Sequence, residues 1–323
     1  MRVMHARVAV FGAAGYSGLE LVKLLAQHPT IRVVAVASDT HAGTPVRVQT
    51  GIVSELAFVR TEEALATEAD VALLAVPPEA ALTLAPPLRA RGIKVVDLSN
   101  AYRASGEAVY GLTSLYAGEV ASAGLVANPG CYATCVITAV APLVGIIERD
   151  VIVAAGSGVT GAGRAKDEAL SLGELHDNVR AYKVLRHQHV PEIERTLARV
   201  VAGEAPRVVL TTHLLPIARG IFATITVRLR ERASSAELTE RMRRFFADDP
   251  TTVVWPTPED VSIRKVVGTN QCHIGVAADG DVAVVTASID NLLKGAAGQA
   301  VENMNLVLGL PRTTGLGHLA RHA

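Results

Sequence analysis

Several runs of this 323-residue sequence hold side chains whose types and spacing could do chemistry. In Asn128–Thr134 a Pro-Gly pair is followed by Cys131 and then by an apolar run with helical character. A thiol at or near the first turn of a helix meets the positive end of the helix dipole, which favours the nucleophilic thiolate. The commonest fate of a cysteine is to be a small buried hydrophobe, and Cys135 and Cys272 suit that role better than Cys131. The run His187–Glu192 supplies His187, His189 and Glu192. A thiolate needs a nearby proton donor and acceptor that works near neutral pH, and either histidine would serve. Glu192 could orient an imidazole or bind a substrate amide. An HxH pair can also hold a metal, but no third ligand stands at a typical spacing, so no metal is expected. Taken alone, the two histidines are as readily polar loop residues.

Two further runs are suited to phosphate groups. Gly12, Gly15 and Gly18, with Tyr16 and Ser17 between them, follow a β-branched strand and open a helical pattern. Glycines there allow a tight turn and a close approach to a pyrophosphate seated on the helix N-terminus. The spacing is GxxGxxG instead of the usual GxGxxG, so an ordinary glycine-rich turn is the competing reading. The next strand ends in Ser38, Asp39, Thr40 and His41. An acid at that place favours the free 2′-hydroxyl of NAD, whereas Ser and His could accept a 2′-phosphate. Gly156–Arg164 interleaves glycines with Ser157, Thr160 and Gly161 and ends in Arg164, a composition that fits an anion-binding nest or a flexible loop. Asp97–Arg103 brings Arg103 to the end of another strand, the ligand-binding edge of a parallel sheet.

Elements must exist to carry these residues. Up to about residue 130, strands alternate with helices. The strands are Arg7–Phe11, Ile31–Ala37, Val71–Val76 and Lys94–Leu98, and a helix runs over Leu19–Gln27. Continuous apolar strands of this kind are expected where helices cover both faces of a parallel sheet. Beyond about residue 150, Val208–Leu215, Phe222–Leu229, His273–Val276 and Val282–Ile289 predict a mixed or antiparallel layer, with an amphipathic helix over Ala236–Phe246. Leu293, Ala297, Val301, Met304 and Leu308 form a helical stripe stopped by Gly309 and Pro311, and Gly295 and Gly298 allow it a close backbone neighbour. Val120–Ile147 carries no charge, but Asn128–Gly130 and Pro142 divide it, so it predicts a buried strand, a turn and a buried helix instead of a membrane span.

Lys plus Arg equals Asp plus Glu at 31 each, which leaves no general footprint for nucleic acid or an anionic membrane. Three cysteines without a CxxC pair, and no visible secretory signal, suit a reducing cytoplasm.

The order of these runs resembles that of the N-acetyl-gamma-glutamyl-phosphate reductases of arginine biosynthesis, relatives of the aspartate-semialdehyde and glyceraldehyde-3-phosphate dehydrogenases. The similarity spans essentially the whole chain. It rests on Gly12–Gly18, Asp97–Arg103, Tyr110–Leu112, Asn128–Thr134, Ser157–Arg164, Ala181–Lys183, His187–Ile193, Leu215–Ile221, Gly268–Asn270 and above all Asp290–Asn305. Departures lie at Val76–Glu79 and at Asn100–Tyr102. The resemblance implies an α/β fold, a Rossmann-type parallel-sheet nucleotide domain plus a mixed α+β substrate domain. The first would span residues 1–130 and 291–323, and the catalytic and oligomerisation domain residues 131–290.

The resemblance further implies an NADP(H)-dependent oxidoreductase with Cys131 as nucleophile and His189 or His187 as acid/base, assisted by Glu192. Cofactor contacts would fall at Gly12, Gly15, Tyr16, Ser17, Gly18, Ser38, Ser99, Gly161 and Asn291. Substrate and phosphate contacts would fall at Arg103, Asn128, Ser157, Thr160, Arg164 and Tyr182. The expected partner is a small-molecule substrate, with the chain itself a homodimer or homotetramer. The nearest alternative is the lysine-pathway reductase acting on carrier-bound aminoadipyl phosphate, for which no basic docking patch is evident. A nucleotide-binding regulator without turnover would leave the thiol idle.

Overall fold

Short β-branched runs build the first sheet of the computed structural model, which describes residues 5–52, 54–162, 172–201 and 205–317. Its strands are β1 (Ala6–Phe11), β2 (Ile31–Ala37), β3 (Val71–Leu74), β4 (Lys94–Asp97), β5 (Val109–Tyr110) and β6 (Leu125–Ala127), in the order β2-β1-β3-β4-β6-β5. Every pairing is parallel. Val8, Val10, Leu73 and Val96 are wholly buried, as strands covered on both faces require. The expected strand Val71–Val76 stops at Leu74, ahead of Pro77 and of the helix Pro78–Ala90, which has proline in its first turn. The expected Lys94–Leu98 stops at Asp97, whose carboxylate turns back onto the Ser99 backbone N–H at 2.9 Å and its hydroxyl at 2.7 Å.

The second sheet comprises β7 (Ile147–Ser157), β8 (Arg180–Tyr182), β9 (Arg207–Leu214), β10 (Ile221–Leu229), β11 (Thr252–Val254), β12 (Cys272–Asp279) and β13 (Val282–Ile289). Its order is β11-β12-β13-β10-β7-β9-β8. The β7–β9 and β11–β12 pairs are parallel and the rest antiparallel, a mixed sheet. The helix Cys131–Val140, buried from Tyr132 onward, packs on β10 and β13 and beside the helix Val190–Val201. The helix Ser235–Phe245 opens with a capping box: the Ser234 hydroxyl accepts the Glu237 N–H, and Glu237 accepts the Ser234 N–H. Among the described residues no helix is long and apolar enough to cross a membrane.

Two compact units result. Among the described residues, one takes in the chain up to Gly130 and from Ala296 onward; the other runs Cys131–Gly295. The helix Gly298–Val307 closes the first unit, packing on the helices Tyr16–Ala26 and Thr113–Ala121 and on β4. Its polar residues Gln299, Glu302, Asn303 and Asn305 are buried, and several of their polar groups are paired. Gln299 Nε2 donates to Gly111 O and Thr113 Oγ1, each at 2.9 Å, and Arg312 pairs with Glu302 at 3.1 Å. The expected helical stripe from Leu293 is a π-helical turn over Leu293–Ala297 before the α-helix begins.

Candidate active site

Cys131 is the first residue of its helix and is half-buried, while Cys135 and Cys272 are fully buried. Burial raises the Cys135 thiol well above its usual range and Cys272 to about 12, so neither ionises near neutrality. Gly295 lies directly behind Cys131. A side-chain carbon there would stand 2.8 Å from Cys131 Cβ, so only glycine permits this approach. The turn carrying Gly295 is tied down by Asp290. The Asp290 carbonyl accepts the Gly295 N–H at 2.9 Å, and its carboxylate accepts the N–H groups of Leu292 and Leu293 at 2.8 and 3.1 Å. Arg219 pairs with the same carboxylate at 3.2 Å. Lys294, wholly buried, donates to Thr251 Oγ1 at 2.9 Å.

Tyr132 begins a cluster of rings beside the thiol. Its hydroxyl accepts from Tyr182 at 3.0 Å and shares a hydrogen bond with Ser157. Burial pushes Tyr132 far above a phenol's usual range, Tyr182 adds to this, and the Cys131 charge raises it further. Tyr182 is raised to about 12 by burial, with the Tyr132 hydrogen bond opposing and the Cys131 charge adding. Both phenols therefore stay protonated. His187 meets the Tyr132 ring edge-on with centroids 5.1 Å apart, and His189 lies 4.7 Å from His187. Both histidines are buried, as is Glu192 in the first turn of its helix. Burial, then the Lys183 charge, lowers His187 to about 4, leaving it neutral in ordinary buffers. Its Nδ1 accepts the His189 backbone N–H at 3.2 Å, so its remaining proton sits on Nε2.

Ser157 ends β7, and Thr160 and Gly161 follow in a short 3-10 turn. The Thr160 hydroxyl donates to Ala218 O at 2.7 Å and accepts from Asn291 Nδ2 at 3.0 Å, while Asn291 Oδ1 accepts the Gly220 N–H at 2.7 Å. The loop, β10 and the Asp290–Asn291 segment are thus stitched together. Arg164 lies outside the described residues.

In the first unit Gly12 ends the β1 turn with φ +72°, and a side chain there would collide with Ala75 O. One at Gly18 would collide with Gly12 O and stand 2.7 Å from Ala13 Cα. Gly15 N donates to Gly12 O at 3.1 Å, and Tyr16 and Ser17 open the helix. Gly12 and Gly18 let the turn fold tightly on Ala75 and Ala13 at a helix N-terminus, a shape that fits a dinucleotide's pyrophosphate. Ser38 lies buried just past the end of β2, and Ser99, partly buried, just past the end of β4. Arg103 Nε donates to Asn128 O and Nη2 to Leu98 O, each at 2.9 Å. Asn128, in the turn before Cys131, donates to Ala296 O at 3.2 Å and accepts from Asn303 Nδ2 at 2.9 Å.

Tyr132, Asp290 and Lys294 are neighbours of Cys131 and Gly295 to which motif reading gave no role, whereas Gly295 was expected to allow a close backbone neighbour, and Cys131 is that neighbour. Asp290 and Lys294 do leave a signal, as charges embedded in the apolar run around Leu292 and Leu293; Tyr132 leaves none beyond adjacency to Cys131.

Two family models match the chain: "Semialdehyde dehydrogenase, NAD binding domain" over residues 7–123 and "Semialdehyde dehydrogenase, dimerisation domain" over residues 131–291. The N-acetyl-gamma-glutamyl-phosphate reductases of Bacillus cereus (strain AH187) and Bacillus anthracis are each 38% identical to it, over 97% of this chain and 99% of theirs. Among solved structures, aspartate semialdehyde dehydrogenase II of Vibrio cholerae, complexed with ASA, superposes with a TM-score of 0.78 at 16% identity, over 95% of this chain and 99% of that one. The aspartate semialdehyde dehydrogenase of Candida albicans, solved with NADP, does so with a TM-score of 0.71 at 16% identity, over 94% of this chain and 98% of that one. At such identities these likenesses speak to the fold.

Proposed function

Because the chain belongs to the semialdehyde dehydrogenase family, among the N-acetyl-gamma-glutamyl-phosphate reductases, we propose that it reduces N-acetyl-L-glutamyl 5-phosphate to N-acetyl-L-glutamate 5-semialdehyde and phosphate with NADPH, the third step of arginine biosynthesis. The observation that carries the reading is Cys131, the one half-exposed thiol, opening a buried helix against Gly295.

In this mechanism Cys131 Sγ attacks the acyl carbon, and the carbon–oxygen bond to phosphate breaks. Phosphate leaves with that electron pair, and the acyl group stays on the enzyme as a thioester. NADPH, when bound, supplies the hydride that reduces the acyl carbon. His189 lends a proton to the oxygen on which charge develops. It takes that proton back as the carbon–sulfur bond breaks and Cys131 departs as thiolate. His187, held neutral by burial, accepts the His189 N–H and keeps that loop in register. Glu192, in the first turn of the helix that follows His189, is assigned to orient the imidazoles, either of which could carry the proton. Ser157, Thr160, Arg164, Arg103, Asn128 and Tyr182 are assigned to the phosphate and acyl end. The glycine turn, Ser38, Ser99, Gly161 and Asn291 are assigned to the cofactor.

The same reading makes the protein a cytoplasmic homo-oligomer, dimer or tetramer. In its support, Val209, Ile152, Thr226 and Val284 stand opposite one another across β9, β7, β10 and β13, and Ile152 is 52% exposed. A second copy would cover that row.

The test is the reverse reaction, followed as reduced cofactor appearing from N-acetylglutamate semialdehyde, phosphate and NADP, beside Cys131→Ser. Phosphate-dependent turnover that vanishes in the variant is expected. Turnover only with carrier-bound aminoadipate semialdehyde would overturn the substrate. A fully active Cys131→Ser would overturn the mechanism.

A further inference from the structure

Asp39 stands just past the end of β2, where in a dinucleotide-binding unit a carboxylate reads the free 2′-hydroxyl of NAD. In this chain that carboxylate is already engaged. Asp39 Oδ1 accepts the backbone N–H of Thr61 at 2.8 Å, and Oδ2 accepts the Thr61 hydroxyl at 2.9 Å. Thr61 is the first residue of the helix Thr61–Ala66, so Asp39 satisfies one of the donors that a helix start leaves open. The two Thr61 bonds hold the Asp39 carboxyl below its usual range, with the Arg60 charge adding to them against burial.

The neighbouring groups are of another kind. Ser38 Oγ lies 3.3 Å from both Thr40 Oγ1 and His41 Nδ1, and Thr40 Oγ1 lies 2.9 Å from His41 Nδ1. Two hydroxyls and an imidazole can reorient their protons toward a phosphate oxygen, and a hydroxyl makes no charge of its own to repel one. A free carboxylate in the same place would repel a dianionic group. The sequence alone leaves an acid and three donors competing for one place. The structure ties the acid, still ionised, to Thr61 through both of its oxygens.

We propose that Thr61 is a specificity-determining residue. By holding Asp39 through two hydrogen bonds it leaves the adenosine 2′ position to Ser38, Thr40 and His41, so the site selects a 2′-phosphorylated dinucleotide. This rests on the NADPH reading above and assigns its cause to a helix start outside the strand-end motif.

Thr61→Pro removes both donors at once. Proline suits the first position of a helix. Arg60 already has the extended backbone, φ −67° and ψ 154°, that a residue preceding proline requires. NADPH and NADH binding to the full chain would be measured by calorimetry, without turnover, for wild type, Thr61→Pro and Thr61→Pro with Asp39→Asn. Wild type is expected to favour NADPH. Releasing Asp39 should lower the NADPH-over-NADH preference about fivefold, the scale of one charge–charge contact at an exposed, water-screened site. Neutralising Asp39 in that background should restore it, which a merely structural effect would not. An unchanged preference in folded Thr61→Pro, or a fall that Asp39→Asn does not rescue, overturns the role of Thr61 and leaves the NADPH reading standing. A wild type that does not favour NADPH overturns both.

Discussion

Gly295→Ala is the substitution whose effect can be worked most directly from the coordinates. The new methyl carbon would stand 2.8 Å from Cys131 Cβ and 3.3 Å from both Cys131 Cα and Asp290 O. Carbon atoms rest about 3.5–4.0 Å apart, so one side must give by about 0.7–1.2 Å. Gly295 has little room to retreat. Its N–H is bonded to Asp290 O, and its neighbour Lys294 is anchored through Thr251, which in turn donates its N–H and hydroxyl to Asp249 at 2.9 and 2.8 Å. Cys131 has a half-exposed side and is the atom group that moves. A nucleophile misplaced by about 1 Å costs on the order of a hundredfold in rate, while overpacking costs about 1–3 kcal/mol of stability. Gly295→Ala should therefore remain folded, lose on the order of a hundredfold in kcat in the phosphate-dependent reverse assay, and show a changed alkylation rate at Cys131. Full turnover in a folded Gly295→Ala protein would refute the idea that this close approach fixes the nucleophile.

Two further outcomes follow from burial. Iodoacetamide at neutral pH should label Cys131 alone, since burial raises Cys135 and Cys272 well above the range in which thiols ionise; peptide mass spectrometry before and after denaturation checks this, and early labelling of Cys272 would contradict it. Stability should be full above about pH 6.5 and decline as pH falls toward about 4. Burial lowers both His187 and His273 to about 4, so the unfolded chain takes up protons that the fold refuses. Urea melts across that window test it, and His273→Gln should flatten the decline.

Where local pattern and burial agree, the strands could be read from the chain to within a residue or two. Ile31–Ala37 and Val282–Ile289 are the strands expected, and Val208–Leu215, Phe222–Leu229 and Ala236–Phe246 are elements that run one residue earlier at one or both ends. His273–Val276 is the core of a longer strand, Cys272–Asp279, whose far end, Ala277–Asp279, has no β-branched residue to signal it. The helix Pro78–Ala90 was not legible because Pro86 and Pro87 are usual stop signals, yet both sit inside it. The interior strand β7 was hidden by Glu148, Arg149 and Asp150 at its start.

The site divides along a physical line. Residues proposed to act by their own chemistry announce themselves by type: a cysteine after Pro-Gly, two histidines, a glycine turn. Residues that act by holding others do not. Gly295 matters because of what a methyl group would strike, and Thr61 matters because of the carboxylate it occupies, 22 positions away along the chain. Asp290 lies between these cases. As a charge beside Leu292 and Leu293 it has to be paired if buried, and the structure pairs it with Arg219 and three backbone N–H groups, those of Gly268, Leu292 and Leu293. A carboxylate at the end of a second strand is therefore weak evidence of cofactor choice until its partners are known. Asp39 taken alone points to NAD; held by Thr61 as proposed, it would leave the 2′ position to its neighbours.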